Sequence, residues 1–252
     1  MVFNSRSIIY SLLFSFLHLT VSYSQKSNKQ HGGDSMLIVN VEMNLQKAQQ
    51  LRNEDIRQSL ELTTRALKDA ELLQDKMLIA EAKLAIGKCY DHLGVSGKAL
   101  EHLNEALINF RSLGEEKKAI ETLLYIGNIY RFANEYTLAL PYFQEVKHYA
   151  ESNSDTTLLI KSLISIGGVY GNTAKLDSAI TLFKEAHMLT KGTSLVEEEI
   201  QSLYYIGDAT LFSGRPSEAL TILHQLEASY NVEESSPKNL PGIYNSITKA
   251  YI

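Results

Sequence analysis

The sequence has one cysteine, four prolines and no tryptophan in 252 residues. A single thiol, Cys89, excludes an internal disulfide framework, and its place between Lys88 and Tyr90 in a helical stretch suits a buried structural role. So few prolines, in leucine-rich text, leave long stretches free to be helical. No His-x-x-x-His pair and no cysteine pair offers a zinc-ligand spacing, and no Gly-x-Ser-x-Gly elbow offers a nucleophile. Basic residues are in the minority, 24 against 29 acidic. That balance argues against a nucleic-acid surface, whose affinity rests on neutralising phosphates.

Two glycine-bearing stretches fall short of nucleotide-binding motifs. "GVSGK" (94–98) has His92 where a phosphate loop needs its first glycine and Ala99 where it needs Ser or Thr. "GGVYG" (167–171) has the wrong glycine order and follows no strand pattern. Glu115-Glu116 and Glu197 to Glu199 read as acidic first turns, favoured by the helix dipole, rather than as catalytic carboxylates. No catalytic residue, cofactor or metal ligand is therefore expected.

Only one long apolar run is present, Ile8 to Val21, preceded by Arg6 and followed by Ser22-Tyr23-Ser24. This is the three-part pattern of a secretory signal peptide with cleavage before Gln25. This run of fourteen residues is shorter than the roughly 20 a membrane span needs. No cysteine follows the cut, so a bacterial lipoprotein anchor is not indicated. Loss of Arg6 leaves 23 basic against 29 acidic residues, a net charge of −6. Gln25 to Ser35 is polar and glycine-containing, and the leader is expected to run flexibly to residue 38.

What the chain does have is repetition. "KLAIGKCY" (83–90), "LLYIGNIY" (123–130), "LISIGGVY" (163–170) and "LYYIGDAT" (203–210) place Gly87, Gly127, Gly167 and Gly207 forty residues apart. Twelve residues after each glycine stands Ala99, Ala139, Ala179 or Ala219, and four further on Leu103, Phe143, Phe183 or Leu223. Apolar residues recur at helical intervals on both sides of a break at Gly94, Asn134, Ala174 and Gly214. Each unit therefore reads as helix, tight turn, helix. The glycine and alanine fall where paired helices approach closely, and neighbouring pairs must stack to bury their apolar faces.

Gly-x-x-Tyr, a turn residue, then Ala, then Phe or Leu resembles the tetratricopeptide repeat, here as a 40-residue variant of a unit usually of 34. The resemblance covers about residues 39–252, although the usual closing proline is absent. It implies an all-α fold, an α-solenoid of stacked helix-turn-helix units in a right-handed superhelix. The units would span about 39–78, 79–118, 119–158, 159–198 and 199–238, with a partial unit at 239–252. In that family the first helices pave a groove for a peptide or protein segment. Carried over by register, the groove would be lined by Lys88, Asp91, His92, Tyr125, Asn128, Arg131, Phe132, Ser165, Gly168, Gly171, Asn172, Tyr205, Asp208, Leu211 and Phe212. Packing explains Gly167 but not Gly168 and Gly171, which would leave a bare helix surface for a partner's backbone.

Further local signals complete the reading. Ser194 with Glu197 suggests a capping box, Pro216 a helix start, and 231–242 a loop. The last helix, about Leu240 to Ile252, carries Tyr244, Ile247, Tyr251 and Ile252 on an apolar stripe, which suggests fraying and self-association there. The resemblance implies binding rather than catalysis. An exported array of this kind is similar to the extracytoplasmic input regions of bacterial sensor histidine kinases, in the periplasm or cell envelope. The other reading is a stand-alone envelope assembly or structural scaffold. No nucleic acid is expected as a partner, and no membrane span once the signal is removed.

Overall fold

A computed structural model describes residues 34–252. The apolar run 8–21, the cleavage point before Gln25 and the leader as far as residue 33 lie outside the described residues. Twelve helices and no strand occur among the described residues. In chain order they are α1 (34–51), α2 (Ile56–Leu73), α3 (Lys76–His92), α4 (Ser96–Leu113), α5 (Glu116–Phe132) and α6 (Tyr136–Asn153). Then come α7 (Thr156–Asn172), α8 (Leu176–Thr190), α9 (Val196–Phe212), α10 (Pro216–Ser229), α11 (Val232–Ser235) and α12 (Leu240–Ala250). Helix α1 starts at 34, so residues 34–38 are helical rather than leader; Val41 is fully buried and anchors that helix. The chain forms two compact units, one ending at Asn109 and one running from Phe110 to Ile252.

In the first unit Val41 packs with Ala66 and Ala70 of α2 and with Leu78 and Ala82 of α3. Asp75 starts α3 by accepting from the backbone N–H groups of Met77 at 2.8 Å and Leu78 at 3.1 Å, which satisfies two otherwise orphaned donors. Cys89 is buried, its Sγ 3.3 Å from Ser59 Oγ, and Ser59 in turn donates to the Ala48 carbonyl at 2.7 Å. The thiol thus belongs to a satisfied core cluster. A Cβ on Gly87 would stand 2.7 Å from Leu103 Cγ, so only glycine lets α3 and α4 come this close.

The second unit repeats this packing. A Cβ on Gly127 would meet Phe143 at 2.6 Å, one on Gly167 would meet Phe183 at 2.6 Å, and one on Gly207 would meet Leu223 at 2.7 Å. Each bulky residue is buried against its glycine in the partner helix. The cores between pairs join up: Ala139, Phe143, Ile166 and Val169 form one cluster, and Ile160, Leu163, Ile180, Phe183, Ile206 and Ala209 another. Between the two helices of successive pairs the chain turns through the left-handed region at Gly94 (φ 72°), Asn134 (φ 63°), Ala174 (φ 58°) and Gly214 (φ 81°). Alanine is an uncommon occupant of that region, and at 174 the turn's hydrogen bonds (Lys175 N–H to the Tyr170 carbonyl, 2.9 Å) hold it there.

Three local expectations need correction. Helix α9 begins at Val196, with Leu195 at the cap and no side-chain cap bond. The capping box at Ser194 and Glu197 does not form, because the helix starts one residue too late for Ser194 to cap it. Thr193 Oγ1 instead accepts from Leu195 N–H at 3.2 Å, and Glu197, Glu198 and Glu199 supply acidic charge to the first turn. The joint at 231–242 is not merely a loop: it holds α11 and the first residues of α12, with Val232 buried beside Ile200, Leu226 and Ile243. Along α12 the expected single stripe splits. Ile243 is buried and Ile247 packs on the same core, while Tyr244 and Tyr251 are exposed. Pro216 does open α10. None of the described helices is long and apolar enough to cross a membrane.

Candidate functional site

The three first helices of the second unit, α5, α7 and α9, turn one side of each to a common recess. The recess has two adjoining cavities of about 460 and 470 Å³. Gly168, Gly171, Asn172, Tyr205, Asp208 and Phe212 line the first, with Leu176 and Phe183 of α8 behind them. Tyr125, Asn128, Phe132 and Ser165 line the second. Arg131 and Tyr205 line both. Of the groove residues expected in α5, α7 and α9, all but Leu211 are thereby brought to one place. Lys88, Asp91 and His92 lie in the last turns of α3 in the first unit, Lys88 and Asp91 half-buried and His92 exposed. Burial raises the Asp91 carboxyl above its ordinary range, with His92 acting in the opposite direction.

Arg131 sits at the junction of the cavities. Its Nε and Nη2 both donate to Asn128 Oδ1, each at 3.3 Å, and its guanidinium carbon lies 4.2 Å from the Phe132 ring centroid. A Cβ on Gly168 would come within 3.3 Å of Arg131 Nη1. The bare surface at Gly168 is therefore already covered by the chain's own guanidinium, and it is not a free strip for a partner's backbone. Gly171 keeps open space, the nearest contact to an added Cβ being Ala179 at 4.0 Å. Burial pulls the Arg131 pKa below its ordinary value, with Tyr205 and Tyr136 opposing the shift. Arginine nonetheless stays charged at such sites. No carboxylate of the described residues forms an ion pair with it.

Its charged neighbours differ in this respect. Lys161 pairs with Glu198 at 3.6 Å, and Lys238 pairs with Glu197. The sequence reading did not assign these four residues of the second cavity to the groove, nor Phe183 and Leu176 of the first. The helical register held the signal for part of them: one turn before Ser165 comes Lys161, and one to two turns before Tyr205 come Gln201 and Glu198. Phe183 escaped because it comes from a second helix and had been assigned wholly to packing on Gly167. It does both, since its ring also stacks at 5.2 Å, tilted, on Tyr205.

Asp208 is the acidic group of the first cavity. Ser246 Oγ of α12 donates to its Oδ1 at 2.6 Å. Burial raises the Asp208 carboxyl, and the Ser246 bond and the Lys249 ammonium partly offset the shift. Beside it, burial together with Asp208 and Tyr205 pushes the Tyr204 phenol up to about 12. Phe132 and Phe212, at the ends of α5 and α9, are 70% and 59% exposed, an unusual fate for phenylalanine that leaves apolar area at both edges of the recess. Lys249 Nζ lies 5.5 Å from the Phe212 ring.

Solved structures with the same arrangement of helical pairs share the fold at low identity. The quorum sensor NprR from B. thuringiensis, in its apo form, is 15% identical with a TM-score of 0.64, the match covering 98% of this chain and 81% of that one. This is a tetratricopeptide-like array of stacked helical pairs. NprR in complex with its cognate peptide NprX is 19% identical with a TM-score of 0.60, covering 78% of this chain and 54% of that one. A signal-transduction ATPase with numerous domains from Pyrococcus horikoshii, which carries a tetratricopeptide repeat sensor, is 16% identical with a TM-score of 0.66. There the match covers 83% of this chain and 33% of that one. No family model matches the sequence, and no curated protein matches it.

Proposed function

We propose that this protein is a non-catalytic scaffold that holds an extended peptide or protein segment in the recess of its second unit. The observation that carries the reading is the convergence of α5, α7 and α9 on two adjoining cavities with Arg131 and Tyr205 common to both. Aromatic area from Tyr125, Tyr205 and Phe212, set beside single polar groups such as Asn128 and Asp208, suits peptide recognition: rings contribute area and polar groups fix register. NprR, bound to its cognate peptide on the same fold, supports the reading by analogy of architecture. The signal-peptide pattern at residues 6–24 supports placing the array outside the cytoplasm, as the input region of a bacterial signalling protein.

The test is direct. Purified protein is probed with an array of N-acetylated, C-amidated nonapeptides of randomised sequence, and hits are measured in solution by fluorescence anisotropy. Saturable binding that weakens in Tyr205→Ala and Phe212→Ala is the expected result. Absence of any saturable binding, or hits indifferent to both substitutions, would reject the recess as a peptide site.

A further inference from the structure

Arg131 is a cation of the recess that forms no ion pair among the described residues. Lys161 and Lys238 are each matched by a glutamate, and Asp208 is met by Ser246 with Lys249 close by. Among the described residues Arg131 is held by a neutral amide at 3.3 Å and an aromatic ring. A largely desolvated guanidinium gains far more from a carboxylate than from an amide oxygen, because charge-assisted bonds are roughly twice as strong as neutral ones. Gly168 leaves Nη1 no side chain to contend with from α7.

Position then narrows the ligand further. The first cavity, which Arg131 and Asp208 also line, has an apolar wall of Leu176, Phe183, Ala209 and Phe212 that suits an apolar side chain. The second cavity shares Arg131 and Tyr205 with the first, so an extended chain that occupies both passes the guanidinium. A chain end placed at Arg131 would leave one of the two cavities empty.

Building on the peptide-binding reading, we infer that the occupant is a segment with an internal Asp or Glu side chain on Arg131, next to a large apolar or aromatic residue in the Phe183–Phe212 cavity.

The experiment uses the same capped nonapeptides, with the central position fixed in turn as each amino acid. Capping removes both terminal charges, so any preference for an acid belongs to a side chain. Expected is enrichment of Asp and Glu at the centre with Phe, Tyr, Leu, Ile or Met adjacent. For the leading peptide, changing its central acid to the matching amide should weaken binding to the wild-type protein about tenfold or more, in line with bonds to charged groups. Arg131→Gln should bind acid and amide peptides alike, while still preferring the apolar neighbour. The peptide-side change needs no folded variant, so it decides the matter even if Arg131→Gln is damaged. Binding of capped peptides with no acid preference would overturn this inference and leave the peptide-binding reading standing. Acid preference that survives Arg131→Gln, or binding seen only with a free C-terminal carboxylate, would overturn it as well. A complete lack of peptide binding would bring down both.

Discussion

At the scale of single residues the repeat glycines are the most constrained positions, and the sequence showed why. Their 40-residue recurrence, with alanine twelve residues on and Leu or Phe sixteen on, reports a close approach between paired helices. The approach is real: Phe143 stands 2.6 Å from where a Gly127 Cβ would be. Two effects oppose one another in Gly127→Leu. Helix propensity favours the change by about 1 kcal/mol. Overpacking against a buried phenylalanine costs about 1–3 kcal/mol or more, since Phe143 is 0% exposed and has nowhere to move. Packing should win, with a lower thermal midpoint for the variant; a stabilised Gly127→Leu would show that the α5–α6 contact is looser than described. Gly168 teaches the opposite lesson. Its role was not legible, because what covers it is Arg131, one repeat away and free to point several ways. Sequence periodicity fixes which residues share a face, but not which long side chain lies across a neighbour.

Among the elements, α7 and α12 hold the two parts of the site that can be tested by folding measurements. Helix α7 carries Gly167, Gly168 and Gly171 within two turns, a weak composition for a helix. Gly171→Ala has room and should add up to about 1 kcal/mol. Gly168→Ala gains similar propensity but presses on Arg131 Nη1 at 3.3 Å, the flexible end of a side chain that can shift by a few tenths of an ångström. The double variant should therefore melt higher and bind capped peptides more weakly. Unchanged affinity in a stabilised double variant would mean that Arg131 does not need its seat on Gly168. Helix α12 is joined to α9 through Ser246 and Asp208. Folding raises the Asp208 pKa, so the folded state holds that proton more tightly than the unfolded chain. The linked stability is fully present below the unfolded value of about 3.9 and is lost as pH rises through the folded value. Asp208→Asn keeps an acceptor for Ser246 and removes the buried charge. It should thus raise the thermal midpoint at pH 7, and the gain should shrink towards zero as pH falls to about 3.9. A gain that is equal at both pH values would show that charge burial is not its source. The split stripe of α12 was not legible in advance, because which of Tyr244 and Ile247 is covered depends on how that helix meets α9 and α10.

For the whole molecule, the solenoid fold and most of the recess were readable because a repeat writes its packing rule several times over. The ion pairs at the rim and the unmatched charge of Arg131 were not, since they depend on side-chain geometry between repeats. The proposed export of the array rests on residues 6–24. Arg6, a mainly apolar run of fourteen residues from Ile8 to Val21, and small residues at Ser22 and Ser24, three and one positions before Gln25, make up the pattern of a signal peptide. The run is shorter than the roughly 20 residues that would hold it in a bilayer as a stable span. Cleavage and export should therefore both occur. Expression of the full chain with a C-terminal tag in a Gram-negative host, followed by osmotic shock and N-terminal sequencing, should recover a periplasmic species that begins at or near Gln25. Recovery of intact Met1 in the cytosolic fraction would refute export and with it the extracytoplasmic role. Recovery of intact Met1 in the membrane fraction would mean that the segment is retained as an anchor. The proposed binding role of the recess does not depend on either outcome, because all of its lining residues lie from Leu124 to Asn239.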